Sequence, residues 1–351
     1  MGNIEKLVQW FMYSPVYDNG AYVAYYSSYK KGPTYPEITA YAISLSCLLY
    51  KRRGDIGSLE RAEECAEYMR KISREGGIPS FSDNLLYTFD TGIYVSGLCD
   101  LYSITGKDTY LTDAKKSLDW LYSMWDGTLF SATNSIPAEK AWYHLPSVHL
   151  VKLAIPLIKA SKYLGDKRYE KTALELLHHY APLQTKTGAF KVNETSGTVM
   201  THPHCYAVEG YLYAYHVLRD EKLLELARRG SDWLSKAQNS DGSFYRLYSV
   251  ERSSDKEERA KAGEEKLKTS DATAQATRIW KLLGVNHQRI EKAYRYLDNQ
   301  VKNGGLMLFR KETLKGKLFS SRKPVYSWPT FFYLHSLLLP FGQIEYCHEL
   351  F

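Results

Sequence analysis

The sequence predicts an all-α protein, an (α/α)6 barrel or toroid in which six outer helices surround six inner ones, and three observations carry that prediction. A unit made of Gly-Asp/Lys, an amphipathic run and Gly-x-Phe recurs along the chain. It runs from Gly106-Lys107-Asp108 to Phe130, from Gly165-Asp166 to Gly188-Ala189-Phe190 and from Arg219-Asp220 to Gly242-Ser243-Phe244, with weaker copies from Gly54-Asp55 to Phe81 and from Gly284 to Phe309. Self-similarity at a spacing of ~50–60 residues marks one supersecondary unit repeated. Apolar residues at i, i+3, i+4 and i+7 fill most segments between these glycines, and alternating strand patterns are scarce. The helices are also of two kinds that alternate, one apolar on several faces and one with a polar face; the first kind belongs inside and the second outside.

In chain order, an amphipathic helix over 3–13 opens the outer set, which continues over 58–74, 109–124, 167–181, 221–237 and 287–302. The inner set reads 35–50, 88–104, 144–164, 202–218, 270–284 and 328–340. Inner-to-outer turns are short, whereas the outer-to-inner connections at 74–87, 125–143, 182–201, 238–269 and 303–327 are long. All long loops therefore gather on one rim, beside the N-termini of the inner helices. Long loops in a compact domain are commonly functional. The free N–H groups and positive dipole ends of the inner helices face the same rim. With no Pro/Gly/Ser linker, residues 1–351 are expected to form a single domain carrying a charge-rich insertion at 251–269. That insertion is either a solvated loop or a lid over the site.

Polar residues cluster at the inner-helix starts. Helix one opens on Tyr35-Pro36-Glu37-Ile38-Thr39-Ala40-Tyr41, with proline at a permitted first-turn position. Helix two opens on Thr88-Phe89-Asp90-Thr91-Gly92, and helix three on Trp142-Tyr143-His144, reaching His149. Helix four opens on Thr201-His202-Pro203-His204-Cys205-Tyr206 and runs to Glu209; helix five opens on Ser270-Asp271 and carries Gln275 and Arg278. Helix six opens on Tyr326-Ser327-Trp328 and reaches His335. Asp90 and Asp271 are either N-caps or functional acids. Glu37 and Glu209 lie in mostly apolar helices, where an unpaired carboxylate is expensive; an ion pair, with Arg278 for example, is the structural alternative. His202 and His204, two residues apart, face different ways on a helix and make a poor metal pair, so no metal or other cofactor is expected.

Four carboxylates, several histidines and aromatic residues on one rim suit carbohydrate chemistry. Two carboxylates flanking a glycosidic bond can serve as acid and as base or nucleophile, and burial raises the acid's pKa toward neutrality. The catalytic candidates are Asp90 and Glu209 first, then Asp271 and Glu37. Tyr35, Tyr41, His144, His149, His202, His204, Tyr206, Gln275, Arg278 and Trp328 are the candidates for binding the sugar. Tyr and His could alternatively remove a proton alpha to a uronate carboxylate, giving epimerisation or elimination. A non-catalytic toroid that binds glycan or protein is the third reading.

Composition bounds these readings. Tyrosine is over-represented, 30 residues against 12 Phe and 7 Trp, and its flat face and hydroxyl suit sugar grooves and helix edges alike. A net charge of +7 on 351 residues, mostly scattered, argues against nucleic acid and allows an anionic substrate. Five cysteines with no C-x-x-C spacing read as reduced, buried thiols. With no charged-then-apolar leader and no apolar run of ~20 residues, the expected location is cytoplasmic, without a membrane span. Oligomeric state is left open.

At these motifs the chain resembles the six-hairpin glycosidase-like superfamily. It is most similar to polysaccharide-biosynthesis-associated barrel proteins with a Tyr-Pro-Glu-Thr-Thr-Gly-Tyr-type opening, from which Ile38 and Ala40 depart. The similarity continues through Phe89-Asp90-Thr91-Gly92, His204 to Glu209-Gly210, and Asp271-Ala272-Thr273-Ala274-Gln275 to Trp280, in the same order over most of the chain. It implies the barrel fold and a carbohydrate-active enzyme. Tyr206–Asp220 followed by Gly242-Ser243-Phe244-Tyr245-Arg246 also resembles the helical part of glucuronyl C5-epimerases, whose β-rich domain has no counterpart here. Unsaturated glucuronyl hydrolases share the barrel and use acids at its mouth. Gln238-Asn239-Ser240-Asp241-Gly242-Ser243-Phe244 fits the triterpene-cyclase repeat, read here as a barrel-turn device. The leading expectation is a glycoside hydrolase acting on a glycan, with a uronate epimerase or lyase as the alternative.

Overall fold

The structure is a computed structural model that describes residues 2–136, 142–249, 261–262, 267–311 and 323–351. The expected insertion at 251–269 lies largely outside the described residues, and with it the lid reading. Among the described residues twelve α-helices are numbered α1 to α12 in chain order, and they alternate as outer and inner. The outer ones are α1 (Gly2–Tyr13), α3 (Ile56–Ile72), α5 (Asp108–Ser123), α7 (Lys167–Tyr180), α9 (Glu221–Ala237) and α11 (His287–Asp298). The inner ones are α2 (Pro36–Arg53), α4 (Thr88–Thr105), α6 (Ala154–Leu164), α8 (Thr201–Leu218), α10 (Ser270–Leu283) and α12 (Ser327–Leu338).

Burial separates the two sets as the patterning requires. On α3 the buried residues include Ala62, Cys65, Ala66 and Met69, a single stripe. On α4, Thr88 through Cys99 are buried without a break. Around the ring α2, α4, α6, α8 and α10 each pack on the next, and α12 packs on both α10 and α2, which closes the barrel. Helix α1, from the N-terminal end of the chain, packs on α12 and so serves as its outer partner. All five cysteines are buried and free. No helix among the described residues is long and apolar enough to cross a membrane.

The two glycines of the repeat do different work. At the short-turn rim Gly54, Gly106, Gly165 and Gly284 end inner helices in the left-handed region, where a side chain is strained; Arg219 takes the same conformation at φ 59°. At the long-loop rim Gly76, Gly188 and Gly242 press on the next outer helix. A methyl group there would collide with the backbone carbonyls of Lys116 on α5, Arg229 on α9 and Lys292 on α11. Gln184 and Gln238 repeat the device: each side-chain amide bridges its loop glycine's carbonyl to the same neighbouring helix, at Leu226 and Arg289.

Three expectations need correction. The third inner helix is not continuous over 144–164: 3-10 turns at Trp142–His144 and Val148–Leu153 precede α6. Pro146 lies in the break, where proline disfavours helix at the preceding Leu145 and cannot donate a backbone hydrogen bond. The last outer helix does not reach 302: it stops at Asp298, and Val301–Lys302 pairs as a strand with Gly305–Leu306. Two- and three-residue strands also pair across the long loops. Leu267–Thr269 joins Phe244–Tyr245 to Phe309–Lys311, and Val325–Tyr326 pairs with Tyr25–Tyr26. These small sheets tie neighbouring loops together around the rim.

Candidate active site

The tied loops and the inner-helix starts enclose a cavity of about 380 Å³ on the long-loop rim, within the size range of small-molecule sites. Eight of the sequence candidates line it: Tyr35, Glu37, Asp90, His149, His202, Tyr206, Asp271 and Trp328. Its walls also include Phe81, Tyr87, Phe89, Tyr143, Arg246, Phe309 and Tyr326. Most of these side chains come from loops, which carry no helical period to single them out.

Three of the four carboxylates face this space, and each belongs to the first turn of an inner helix. None is the N-cap: Tyr35, Tyr87 and Thr269 hold those positions, and no side-chain cap hydrogen bond forms at any of them. The cap reading of Asp90 and Asp271 therefore fails. In the ring α4 and α2 are neighbours while α4 and α10 stand three places apart, so Glu37 lies beside Asp90 and Asp271 lies opposite it.

Local partners give the three acids different characters. The Tyr35 hydroxyl donates to Glu37 Oε2 at 2.6 Å. Burial nevertheless pushes Glu37 up to about 7, opposed by that hydrogen bond, by Lys152 and by Tyr206. Asp90 is driven well above the usual carboxylate range, by burial first and then by the nearby charges of Glu37 and Asp83. Asp271 is fixed by three donors: the Thr269 hydroxyl, the Ala272 amide at 2.7 Å and the Trp328 indole N–H at 3.2 Å.

Two histidines share the cavity in neutral form. Burial lowers His149 to about 3, and it also lowers His202 against the pull of Asp271, whose Oδ2 is 3.8 Å away. His202 Nδ1 donates to Gln275 Oε1 at 2.5 Å, which leaves Nε2 as the basic nitrogen. Ser147 bonds His149 Nδ1 at 2.5 Å. The cavity walls stack on one another: Phe89 packs on both His149 and Tyr206, and Tyr35 packs edge-on against Phe81.

The remaining candidates sit elsewhere. Glu209, placed first with Asp90 from the sequence, is wholly buried in α8 between Lys152 and Arg278, each 2.5 Å away. The ion pair with Arg278 is thus the outcome for Glu209, joined by a lysine that sequence reading passed over. Lys152 interrupts the apolar run Val148–Leu157, and a lone cation there was as strong a signal as Glu209 itself. His204 is structural: its Nδ1 accepts from the Phe190 amide at 3.0 Å and its Nε2 donates to the Gly230 carbonyl at 3.1 Å. Tyr41 and Gln275 act from behind the wall, on Tyr206 and His202. His144 is buried against Tyr87 and Tyr143, 3.7 Å from Asp83.

No protein-family model and no curated protein matches the chain. Solved structures do match in fold. A sugar epimerase from a ruminal bacterium superposes with a TM-score of 0.73 at 14% identity, covering 95% of this chain and 98% of that one. Cellobiose 2-epimerase from Bacillus thermoamylovorans B4167 gives 0.75 at 9% identity, covering 96% and 98%. An unsaturated glucuronyl hydrolase specific for heparin gives 0.68 at 13% identity, covering 95% and 94%. The chain shares their (α/α)6 barrel from end to end.

Proposed function

We propose that the protein is a carbohydrate-active enzyme that hydrolyses a glycosidic bond, with Asp90 as general acid and Asp271 as the carboxylate that takes a proton from water. The observation that carries this reading is the placement of two first-turn carboxylates across one aromatic cavity, from opposite positions in the helix ring. Burial and the nearby charges of Glu37 and Asp83 favour the protonated form of Asp90, which can deliver its proton to the bridging oxygen as the C–O bond breaks. Water attacks the anomeric carbon and Asp271, held by its three donors, removes the water proton. Tyr35, Tyr206 and Trp328 offer aromatic faces to the sugar ring, and Arg246 at the cavity wall suits a uronate carboxylate. The barrel enzymes that share the fold act on sugars, which supports a glycan substrate.

A second reading rests on His149 and His202, two neutral imidazoles on adjacent stretches of the ring that line the same cavity. Such bases could exchange a proton at a sugar carbon and produce an epimer, uronate C5 included, or eliminate across a uronate. A panel of neutral and uronate-containing oligosaccharides in deuterated water separates the readings. Cleavage without deuterium at carbon, lost in Asp271→Asn, supports hydrolysis. An uncleaved, deuterated epimer, or an unsaturated product, transfers the chemistry to the histidines. Unaltered cleavage by Asp271→Asn would sink the assignment of Asp271.

A further inference from the structure

The segment that follows α12 closes the short-turn end of the barrel. A 3-10 turn over Ile344–Glu349 packs on α8 and α10, and Leu350 and Phe351 beyond it are fully buried. Arg52, in the last turn of α2, pins this segment from outside. It donates two hydrogen bonds to Glu349, of 2.8 and 3.0 Å, and its guanidinium lies 4.7 Å from the Tyr346 ring. A bidentate pair fixes orientation as well as position. Phe351 is thereby held among side chains of α2, α10 and α12.

The Phe351 ring stacks on His335 with centroids 4.3 Å apart, and lies 5.4 Å from Tyr41 and 6.4 Å from Phe332. The Arg278 guanidinium lies over two of these rings, 5.3 Å from Phe351 and 4.5 Å from Phe332. Two of the neighbours in turn touch side chains that line the cavity. The Tyr41 hydroxyl donates to the Tyr206 hydroxyl at 3.0 Å, and Phe332 packs on His202 at 5.9 Å and on Tyr206 at 6.4 Å. These spacings are those of aromatic rings in contact. Phe351 therefore stands two contacts from Tyr206 through Tyr41, and two contacts from His202 through Phe332.

We propose that Phe351 is a positioning residue of the candidate site, the wedge against which Tyr41 and Phe332 hold Tyr206 and His202 at the cavity wall. The inference rests on the reading of that cavity as the place where a sugar binds. A close-packed interior passes the loss of a side chain on to its neighbours, which relax part of the way into the vacated space. Without the Phe351 ring, Tyr41 and Phe332 can move toward the short-turn end, and the wall residues they support follow. His204 is two residues from His202 on the same helix but stands outside this cluster. Its ring is held by the Phe190 amide and the Gly230 carbonyl, and packs on Trp233. The two histidines thus distinguish a wedge under the wall from a general prop of α8.

Imidazole NMR of histidine-labelled Phe351→Ala tests this without any substrate. The expected result is a displaced His202 signal beside an unmoved His204 signal. Leu118→Ala, a truncation of the buried face of outer helix α5, should move neither. If Phe351→Ala does not fold, Phe351→Leu keeps most of the volume and loses the flat ring, and a smaller shift confined to His202 is expected. For any oligosaccharide that the native protein cleaves, kcat/KM of the folded Phe351→Ala protein should fall roughly 10²-fold, the scale of a small misplacement at a binding site. An unmoved His202, equal shifts at both histidines, or an unchanged kcat/KM overturns the proposal. The hydrolase reading fails separately, on turnover by the native protein: a shift confined to His202 in a protein that cleaves no glycan would leave the wedge standing.

Discussion

Helices begin at both rims of this barrel, and the two rims treat their acidic residues differently. At the short-turn rim Asp55, Asp166 and Asp220 occupy the N-caps of α3, α7 and α9, and each side chain accepts from a backbone amide two residues on. At the long-loop rim the caps are Tyr35, Tyr87 and Thr269, and the acids stand two or three residues deeper, inside the first turn. A cap carboxylate is committed to its helix. A first-turn carboxylate keeps the favourable field of the helix N-terminus while another residue holds the cap position; Asp271 Oδ1 accepts from the Ala272 amide, and its Oδ2 still serves another partner, the Trp328 indole. The same chemical group therefore terminates helices on one side and furnishes a cavity on the other.

The strongest way to break this contrast is Asp90→Asn. If the long-loop acids serve chemistry, turnover should fall roughly 10²–10⁴-fold, the usual worth of a general acid. Its thermal midpoint should hardly move, because the amide is isosteric with a carboxyl whose neutral form burial and its acidic neighbours already favour. A variant that retains its rate, or that loses cooperative unfolding, would place Asp90 with the structural acids. Next in size is Glu209, which belongs to neither rim. Glu209→Gln strands Lys152 and Arg278 in the interior and should cost about 3–5 kcal/mol in urea unfolding. A loss below about 1 kcal/mol would mean that the ion triad is not a structural element, against its complete burial.

Glu37 and Glu209 show where sequence reading stops. Both are glutamates in apolar inner helices, and the expense of a bare carboxylate flagged them equally. Their fates diverge because Lys152 comes from a 3-10 turn that the helical period did not anticipate, and Arg278 from α10 reaches the same point. Which cation meets which carboxylate depends on ring closure, a relation among residues more than 50 positions apart that local spacing does not encode. The rim itself was legible, since loop length and helix polarity are local properties. The helix boundaries followed for the same reason, except where Pro146 divided the third inner helix and where the last outer helix stopped at Asp298, short of 302. His204 was misplaced by its neighbour: Pro203 and the helix start set His202 into the cavity and turn His204 onto Phe190 and Gly230.

A smaller, pH-dependent effect sharpens the contrast further. Glu37 is raised from 4.5 to about 7 in the folded state. A group whose pKa rises on folding stabilises the native state fully below its unfolded value and loses that contribution as pH climbs through the folded one. The native protein should therefore lose stability relative to Glu37→Gln between about pH 4.5 and pH 7. The difference between the two proteins cancels the contributions of His149 and His204, whose depressed values act in the opposite direction, and reports Glu37 together with the Asp90 it influences. A constant difference across that window would mean that Glu37 is as well solvated as a surface acid.

The smallest expected effect lies at the other rim and mirrors the largest. Asp166 accepts from the Arg168 amide at 3.0 Å and also meets the Arg168 guanidinium, both on the exposed start of α7. Asp166→Ala should lower the thermal midpoint slightly, through the lost helix cap, because an exposed ion pair adds little to it. Catalytic constants should stay at their native values, since the whole length of an inner helix separates this turn from the cavity. Asp90→Asn and Asp166→Ala are thus opposite in sign of consequence, one losing rate with stability intact and the other losing stability with rate intact. Any rate loss in the Asp166 variant greater than its unfolded fraction would show that the two rims communicate, and the division of labour between cap and first-turn acids would have to be redrawn.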